Sequence, residues 1–341
     1  MTDDLATHQF AEAVSGLAPV ALRAAATLRL ADHIAAGHDR LPALAERTGT
    51  DPDLLERLLR FLVCREVFTE PHPGAYGLTG LSAALLDGHP SRLRSWLDQS
   101  GIGARLDAAA RGLLDALRTG RPPYQDLHGK PFYEDLAAHP SGLTFDALRS
   151  RHAEGFAAEL VQAHPWPQAG HVVDLGGGTG VLLDALMRAH PHLRTTLVEL
   201  PDAARAAHDR LTAAGHGDRF TTVAGSFLDP LPPGADVYTL VNVLHNWNDT
   251  DTLRILRRCA EAAAPHSTVL VVERLLDEGD PHAMTAMDLG MFLYLGGRER
   301  TLPAYRSLAT TATLTHTATT PLPSGLRILT LTPARPAPRA E

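Results

Sequence analysis

The chain has 341 residues, of which 31 are basic and 39 acidic, so its formal net charge is −8. Hydrophobic residues make up 44% and charged residues 21%, which excludes a disordered or fibrous protein. The acidic balance disfavours nucleic acid and anionic membranes as partners, because both attract basic surfaces. Two cysteines are too few for a disulfide framework or a cysteine zinc site, and they fit a reducing compartment. With no signal-peptide pattern and no long apolar run, we expect a soluble, cytoplasmic protein.

The 18 histidines raise the question of a metal site. They are scattered singly along the chain, and neither H-x-x-x-H nor H-E-x-x-H occurs. Because histidine ligands to a metal usually stand at such fixed spacings, we predict that the protein has no metal cofactor.

The first 100 residues predict a helical domain with a two-stranded wing. Helices are expected over three segments: about Phe10 to Ala36, Leu41 to Thr48, and a segment that starts at Pro52 behind an Asp51 cap. Two short strands around a Pro/Gly turn follow, as in a winged helix. Residues 1–90 carry 7 arginines, no lysine and 12 acidic residues, a net charge of −5, whereas a DNA-binding wing needs a basic footprint. We therefore predict a module for dimerisation and pocket lining.

The rest of the chain predicts a helical bridge followed by an α/β domain. Strands are expected over five segments and in a threonine-rich end: His171–Leu175, Arg194–Glu199, Phe220–Ala224, Asp236–Leu244, Thr268–Glu273, and Leu314–Pro333. Helices alternate with them, which predicts a mostly parallel, doubly wound sheet. The predicted domains are residues 1–100, a bridge over 101–163, the sheet domain over 164–333 and a flexible tail over 334–341.

A glycine-rich turn over residues 176–180 joins the first of these strands to a helix. Glycine there lets the backbone approach a ligand closely. A dinucleotide fingerprint would have Gly or Ala where Val181 stands, and Asp174 suits an ammonium group better than a pyrophosphate. Glu199, 23 residues after Gly176, ends the next strand, where a carboxylate can accept both hydroxyls of a ribose. These features describe a nucleoside that carries a zwitterion, as S-adenosylmethionine (SAM) does.

Five ordered motifs extend this pattern: Val172–Gly180, Leu197–Pro201, Gly225–Pro232, Val243–Asp249 and Gly296–Thr301. With them, and with the acidic winged helix, the chain resembles the SAM-dependent O-methyltransferases of the caffeic-acid type over nearly its whole length, particularly their bacterial relatives in secondary metabolism and antibiotic biosynthesis. The resemblance implies a Rossmann-like SAM-binding sheet with an N-terminal, mainly helical winged-helix dimerisation domain. It also implies a homodimer that methylates a phenolic hydroxyl of a small aromatic natural product and releases S-adenosylhomocysteine (SAH).

By this resemblance, His245 is the general base, and Glu273 and Glu299 are the carboxylates that flank it. A phenol has a pKa of about 10 and histidine one of about 6.5, so the base must be in place as the methyl group moves. A carboxylate bonded to an imidazole fixes its tautomer and stabilises the imidazolium. The alternative is a structural ion pair, for Glu273 with Arg274 or Arg300, and for Glu299 with the arginines on either side.

The resemblance also assigns the two binding sites. The SAM site comprises Asp174, Gly176, Gly178, Glu199, Leu200, Ser226 and Phe227. The acceptor pocket comprises Asn246, Met287, Met291, Phe292 and Phe145, although a methionine stripe at helical spacing is more often plain core. Asn246 and Ser226 depart from the family, which commonly has Asp at both positions. Serine can still bond the adenine edge, with Phe227 over its face.

Three other functions stay open. One is a relative that binds SAM without methylating and supports hydroxylation or decarboxylation, which has no need of the His245 set. Another is a ligand-sensing winged-helix regulator, which the acidic N-terminal module disfavours. The last is an NAD-dependent dehydrogenase, which Val181 opposes.

Overall fold

The computed structural model describes residues 16–138, 141–166 and 170–334, apart from the side chains of residues 141–148. The chain divides into two compact units, residues 1–108 and 109–341. Within the described residues, no helix is both long and apolar enough to cross a membrane. The predicted tail lies, from residue 335 on, outside the described residues.

The first unit is helical with one two-stranded antiparallel sheet. Its elements are α1 (Leu17–Thr27), α2 (Leu30–Ala35), α3 (Leu41–Thr48), α4 (Pro52–Val63), β1 (Phe68–His72), β2 (Ala75–Leu78), α5 (Gly80–Ala83), α6 (Leu93–Leu97) and α7 (Ile102–Ala110), which spans the boundary. Asp51 caps α4 as predicted, since its Oδ1 accepts a hydrogen bond from the backbone N–H of Leu54 at 2.9 Å. The segment up to Ala36, predicted to form one or two helices, forms two, because Arg29 between them has a left-handed backbone, with φ of 54°. Its residues before 16 lie outside the described residues.

The second unit opens with four helices: α8 (Leu113–Thr119), α9 (Pro123–His128), α10 (Phe132–Ala138) and α11 (Ser141–Ala163). This part of the predicted bridge therefore lies in the same compact unit as the sheet. The buried hydroxyl of Tyr124 on α9 donates a hydrogen bond to Asp135 on α10 at 2.7 Å.

A seven-stranded sheet forms the centre of this unit. Its strands are β3 (His171–Leu175), β4 (Arg194–Glu199), β5 (Phe220–Ala224), β6 (Val237–Val241), β7 (Thr268–Glu273), β8 (Leu314–Pro321) and β9 (Arg327–Pro333). The helices beside them are α12 (Val181–Ala189), α13 (Pro201–Ala213), α14 (Asp249–Ala262), α15 (Pro281–Leu295) and α16 (Leu302–Thr311). The strand order is β5-β4-β3-β6-β7-β9-β8; the first five are parallel and β9 is antiparallel to both neighbours. The predicted doubly wound, mostly parallel sheet is confirmed.

The order of the strands determines where a ligand binds. The chain runs outward from β3 to β5 and then returns to form β6 on the other side of β3. Ligands of doubly wound sheets bind outside the carboxyl ends of the strands at such a switch point. The glycine-rich turn after β3 and the His245 turn after β6 are therefore neighbours.

The strand predicted over Asp236–Leu244 is shorter than expected. It ends at Val241 because Asn242 has a left-handed backbone, with φ of 51°, which a strand does not tolerate. A single 3₁₀ turn, Leu244–Asn246, follows and carries His245. The candidate base is thus held by a turn rather than by the end of the strand itself.

Candidate active site

A cavity of about 300 Å³ lies at the carboxyl ends of the central strands. Its lining comes from the loops after β3 to β6 and from helices α9, α10, α11 and α15: Pro122, Gln125, Pro131, Phe132, Tyr133, Glu134, Arg149, Gly176, Glu199, Leu200, Gly225, Ser226, Phe227, Val243, Asn246, Trp247, Tyr294 and Leu295. The cavity therefore joins five of the residues predicted for SAM to one predicted for the acceptor.

Gly176 forms the floor of the glycine-rich turn. Its φ is 75°, and a Cβ atom there would lie 2.9 Å from Val243 and 3.3 Å from Phe227. Both the backbone conformation and the space therefore require glycine. The missing side chain leaves the backbone open to the cavity.

Glu199 is fixed at the cavity by backbone donors. The N–H of Gly178 donates to Oε2 at 3.0 Å, and the N–H of Leu200 donates to Oε1 at 2.8 Å. Each carboxylate oxygen can accept a second hydrogen bond, as two ribose hydroxyls require. Gly178, with φ of 60°, does not itself line the cavity.

Asp174 lies beneath the same turn and does not line the cavity. It is 1% exposed, its Oδ1 accepts a hydrogen bond from Thr239 at 2.6 Å, and its Oδ2 has no partner among the described residues. Burial raises the pKa of this carboxyl to about 7, with a further contribution from Glu199. A Cβ atom on Gly177 would overlap Oδ2, so the carboxyl group lies directly against the turn.

Ser226 and Phe227 line the cavity beside Gly176. The Ser226 hydroxyl accepts a hydrogen bond from the backbone N–H of Leu228 at 3.2 Å. The ring of Phe227 meets Trp247 edge to face at 5.7 Å. These contacts hold an aromatic face and a hydroxyl at the position predicted for the adenine.

His245 is paired with Glu299 through its ring. The distance from Nδ1 to Oε1 is 2.8 Å, and Glu299 is 1% exposed. With Nδ1–H donating to the carboxylate, Nε2 is the ring nitrogen that can accept a proton. His245 itself is not among the lining residues, but Val243 and Asn246 on either side of it are.

Glu273 contacts the backbone of the same turn rather than the ring. It is fully buried, and its Oε1 accepts hydrogen bonds from the N–H groups of Val243 (3.0 Å), Leu244 (2.7 Å) and His245 (3.4 Å). Among the residues that the structure describes, neither Glu273 nor Glu299 forms an ion pair with an arginine. The two carboxylates thus hold the histidine from two sides.

The two carboxylates influence the protonation of His245. Burial alone would lower the pKa of His245, but the carboxylates of Glu273 and Glu299 raise it above its ordinary value. Burial, aided by the charge of Glu299, raises the pKa of Glu273 to about 7. The arrangement therefore stabilises the protonated imidazole, which is the form that a general base takes once it has accepted a proton.

The segment Gly296–Thr301 packs against the backbone of the His245 turn. A Cβ atom on Gly297 would overlap the carbonyl oxygen of His245 and lie 2.6 Å from the carbonyl carbon of Asn246. The N–H of Arg298 donates to the same His245 oxygen at 2.9 Å. Only glycine allows this approach.

Arg300 is buried and hydrogen-bonds to the backbone of the His245 turn. Its side chain is 1% exposed and donates to the carbonyls of Leu244 at 2.9 Å and Trp247 at 2.6 Å. It also pairs with Asp249 at 2.9 Å. The ion-pair partner of Arg300 is therefore Asp249, and neither predicted carboxylate takes that role.

The predicted acceptor residues differ in their placement. Asn246 lines the cavity, and its Nδ2 donates to the carbonyl of Asn242 at 3.3 Å. Met287, Met291 and Phe292 are half-buried and do not line the cavity, to which α15 contributes Tyr294 and Leu295. The side chain of Phe145 lies outside the described residues.

Comparison with known proteins identifies the family of the chain. The O-methyltransferase dimerisation domain matches residues 12–88, and the O-methyltransferase domain matches residues 111–315. The chain belongs to the O-methyltransferase family. The predicted resemblance is confirmed, and within the described residues no group of three His, Cys, Asp or Glu side chains could hold a metal.

Two curated relatives of this methyltransferase have the same percentage of identical residues. The 2,7-dihydroxy-5-methyl-1-naphthoate 7-O-methyltransferase of Streptomyces carzinostaticus is 44% identical over 93% of this chain and 96% of its own. Aclacinomycin 10-hydroxylase RdmB of Streptomyces purpurascens is also 44% identical, over 87% of this chain and 81% of its own. Sequence identity alone therefore does not separate the two named activities.

A solved structure supports the cofactor. The O-methyltransferase NcsB1 from neocarzinostatin biosynthesis, in complex with SAM and 2-hydroxy-5-methyl naphthoic acid, is 42% identical, with a TM-score of 0.87 over 94% of this chain and 98% of its own. The methyltransferase described here uses SAM, and its residues fit that ligand. Gly176, whose backbone no side chain covers, and the carboxylate of Glu199 line the same cavity. A ribose and its substituents need both groups in one place.

Sequence reasoning missed several residues of the site. The sequence indicates Arg300 only as an ion-pair partner and gives Gly297 no separate role, although both lie within the motif Gly296–Thr301. Their close fit to the His245 turn depends on how α15 and β6 meet in space. Arg149 and Glu134, which line the cavity, carry no local signal in the helical segment before the sheet.

Proposed function

We propose that this methyltransferase moves the methyl group of SAM to a phenolic hydroxyl of a small aromatic natural product, with His245 as the base. The observation that carries the proposal is the 2.8 Å contact between His245 Nδ1 and the buried Glu299 carboxylate. Such a pair orients Nε2 to receive a proton and stabilises the imidazolium that results.

When bound, SAM supplies a methyl group from a cationic sulfur. The sulfur keeps the electron pair of the broken C–S bond, and SAH is the product. His245 Nε2 accepts the phenolic proton while the new O–C bond forms, so the proton ends on the imidazole. Glu299 stabilises that charge, and Glu273 holds the turn through its three backbone contacts. Glu199 binds the ribose hydroxyls, and Asp174 beneath the glycine-rich turn favours the ammonium end.

The acceptor side of the cavity supports an aromatic substrate. Phe132 and Tyr133 line it from α10, while Trp247 and Tyr294 line it from two other elements. Flat aromatic walls suit a flat ring, and a volume of about 300 Å³ is within the range of ligand pockets. The naphthoate methyltransferase and the neocarzinostatin enzyme support a place in antibiotic biosynthesis.

We further propose that the protein acts as a homodimer in the cytoplasm, with neither nucleic acid nor membrane as a partner. The match to a dimerisation domain over residues 12–88 and the net charge of −5 over residues 1–90 support this. Light scattering coupled to size-exclusion chromatography tests it. A mass near 73 kDa, twice 36.6 kDa, supports the dimer, and a mass near 36.6 kDa contradicts it.

The identity to RdmB favours a second candidate, a SAM-dependent protein that supports hydroxylation. The pair of His245 and buried Glu299 argues for methylation, because an oriented proton acceptor next to the cavity serves O-alkylation directly.

Incubation with methyl-labelled SAM and a panel of phenols decides between these functions. Label transfer to a phenol, with one equivalent of SAH formed, supports methylation. SAH binding without transfer to any phenol, together with an oxygenated product when dioxygen and a reductant are supplied, supports the second candidate.

A further inference from the structure

Tyr305, on α16, is a buried tyrosine that does not line the cavity. It is 2% exposed, and its hydroxyl oxygen forms no hydrogen bond with any of the residues that the structure describes. Buried hydroxyl groups nearly always bond to protein or to water, because leaving one without a partner is costly. A phenylalanine would fill the same apolar space without that cost, so the hydroxyl of Tyr305 needs a partner.

The two carboxylates of the His245 set (His245, Glu273 and Glu299) each have one oxygen in the same condition. Oε1 of Glu273 bonds the backbone of the turn, and Oε1 of Glu299 bonds the ring of His245. Oε2 of both side chains is buried and forms no hydrogen bond within the described part of the chain. Because both glutamates contact His245, one at its backbone N–H and the other at Nδ1, their two free oxygens belong to one buried region.

Arg300 connects Tyr305 to this region. Its guanidinium donates to the carbonyl of Leu244 at 2.9 Å, while the N–H of Leu244 donates to Glu273 at 2.7 Å. The guanidinium carbon also lies 5.8 Å from the centre of the Tyr305 ring. Tyr305 and Leu244 pack in one apolar cluster. The tyrosine therefore lies against the same turn that Glu273 holds.

The charges around the Tyr305 hydroxyl agree with this placement. Burial raises the pKa of the hydroxyl well above its ordinary value, and the charge of Glu273 adds to this rise. Glu299 acts in the same direction, and Arg300 acts in the opposite one. The tyrosine therefore keeps its proton and is a hydrogen-bond donor, whereas a carboxylate oxygen only accepts.

Other charged groups face the His245 set from three helices: Arg149 of α11, Asp249 of α14 and Asp288 of α15. Arg149 acts to lower the pKa of His245, while the two aspartates bond Arg300 and the backbone N–H of Glu299. None of the three bonds the Tyr305 hydroxyl in the part of the chain that the structure describes. Removing that hydroxyl therefore leaves their contacts in place.

The numbers of donors and acceptors indicate what joins the three oxygens. The two carboxylate oxygens accept, and the tyrosine O–H donates, so the missing group must donate twice and accept once. A water molecule does this, and buried waters typically make about three hydrogen bonds to polar groups that have no other partner. A metal cation would bind the carboxylates but could not accept the proton of the tyrosine.

We propose that Oε2 of Glu273, Oε2 of Glu299 and the hydroxyl of Tyr305 bind one buried water molecule, which makes Tyr305 a positioning residue for the base. The tyrosine donates to the water, and the water donates to both carboxylates. These bonds stabilise the negative charges beside the imidazole. The inference rests on the proposed function, in which His245 is the base, and adds a fourth residue to the His245 set.

Tyr305→Phe tests this role, because it removes the hydroxyl and keeps the ring. With less stabilisation the carboxylates lose part of their charge, so the pKa of His245 falls. The acidic limb of the pH–rate profile, measured by transfer from methyl-labelled SAM to a phenol, should move to lower pH by about 0.5 to 1 unit. Transfer above the limb should slow by about 3- to 10-fold, since the imidazolium is less stabilised.

Tyr238→Phe is the matched control. Tyr238, on β6, is as deeply buried as Tyr305, and its hydroxyl donates to the carbonyl of Pro232 at 2.7 Å rather than to the His245 set. Its loss should lower Tm and leave the acidic limb in place. The control therefore separates a general loss of stability from an effect on the base.

Two further readouts do not depend on methylation. Nuclear magnetic resonance of the histidine-labelled enzyme–SAH complex follows the titration of His245, whose signal is identified by its loss in His245→Ala. Its pKa should fall in Tyr305→Phe and stay unchanged in Tyr238→Phe, with wild-type SAH affinity showing that both variants are folded. A wild-type crystal structure that resolves ordered water should show one molecule within hydrogen-bond distance of all three oxygens.

A His245 pKa that is the same in Tyr305→Phe and in wild type overturns the inference, even where methyl transfer is intact. A wild-type crystal structure with no water on these three oxygens also overturns it, and this result holds even if Tyr305→Phe fails to fold. If no phenol is methylated, but Tyr305→Phe still lowers the pKa of His245 and the water is present, the inference stands and the proposed function alone is contradicted.

Discussion

His245 Nδ1 and Glu299 Oε1 lie 2.8 Å apart, with Glu299 almost wholly buried and supported in turn by Asp288, whose Oδ1 accepts the Glu299 N–H at 2.8 Å. The backbone of Glu299 is therefore anchored to α15, while its side chain orients a histidine that follows β6. Because the two residues are 54 positions apart, the relationship exists only in the folded protein. The chemistry of the site depends on it.

Glu299→Gln should slow methyl transfer by about 100-fold, because an amide orients the ring but does not stabilise the imidazolium. The acidic limb of the pH–rate profile should also move. In wild type the two carboxylates raise the pKa of His245, so activity falls as pH drops through a value above 6.5. Removing one carboxylate lowers that pKa and shifts the limb to lower pH. Glu261→Gln, at an exposed position, is the control, and an unmoved limb would rule out this role for Glu299.

Gly297→Ala should reduce kcat by about 10-fold or more and lower Tm, because the new Cβ overlaps the His245 carbonyl and displaces the turn. The matched control is Gly155→Ala at an exposed position of α11, where nothing lies within 4 Å and alanine should stabilise the helix by up to about 1 kcal/mol. Circular dichroism melts and single-turnover rates check both. Wild-type kinetics in Gly297→Ala would show that the turn tolerates the shift.

Arg300→Lys should destabilise the protein by about 3 kcal/mol. The planar guanidinium of Arg300 bonds two carbonyls and Asp249 at once, and the ammonium group of a lysine has no such fork. Arg298→Lys is the control. Arg298 also pairs with Asp249, at 3.0 Å, but it is exposed, so its loss should cost less than about 1 kcal/mol. Urea unfolding measures the difference, and equal effects would contradict a special role for the buried arginine.

Asp174→Asn should increase stability at pH 8 by a few kcal/mol and have little effect near pH 4. The folded pKa of about 7 lies above the ordinary 3.8, so the native state holds a proton that the unfolded state releases between these values. The stability that this group contributes is therefore present at low pH and is lost as pH rises towards and through 7. Urea unfolding of the apoprotein across pH 4.5–8 measures it. A difference between variant and wild type that stays constant with pH would contradict this account of the buried carboxyl.

Much of the fold follows from local sequence signals. The cap at Asp51, the glycine-rich turn and the alternation of strands and helices specify elements whose bounds agree with the structure to within a few residues. The exception is β6, where a left-handed Asn242 ends the strand before the sequence shows any breaker. Asparagine tolerates this backbone better than most residues, but it does not require it.

The site was predictable only in part, because its contacts join distant segments. The resemblance assigns roles to His245 and Glu299 within two short motifs, and to Glu273 at the end of a predicted strand. That Glu273 binds the backbone while Glu299 binds the ring depends on the distance between β7 and the turn, which no spacing encodes. The position of Arg149 depends on where α11 meets the sheet, and its sequence surroundings resemble any helix surface.

The central claim is that His245 is the general base, and single-turnover transfer from methyl-labelled SAM across a pH series tests it most directly. We predict that His245→Ala slows transfer by about 10²- to 10⁴-fold at pH 7 while SAH affinity is unchanged. Its remaining rate should climb steadily with pH, because the phenol then loses its proton to solvent, with a pKa of about 10. Transfer in His245→Ala as fast as in wild type at pH 7 would contradict the account.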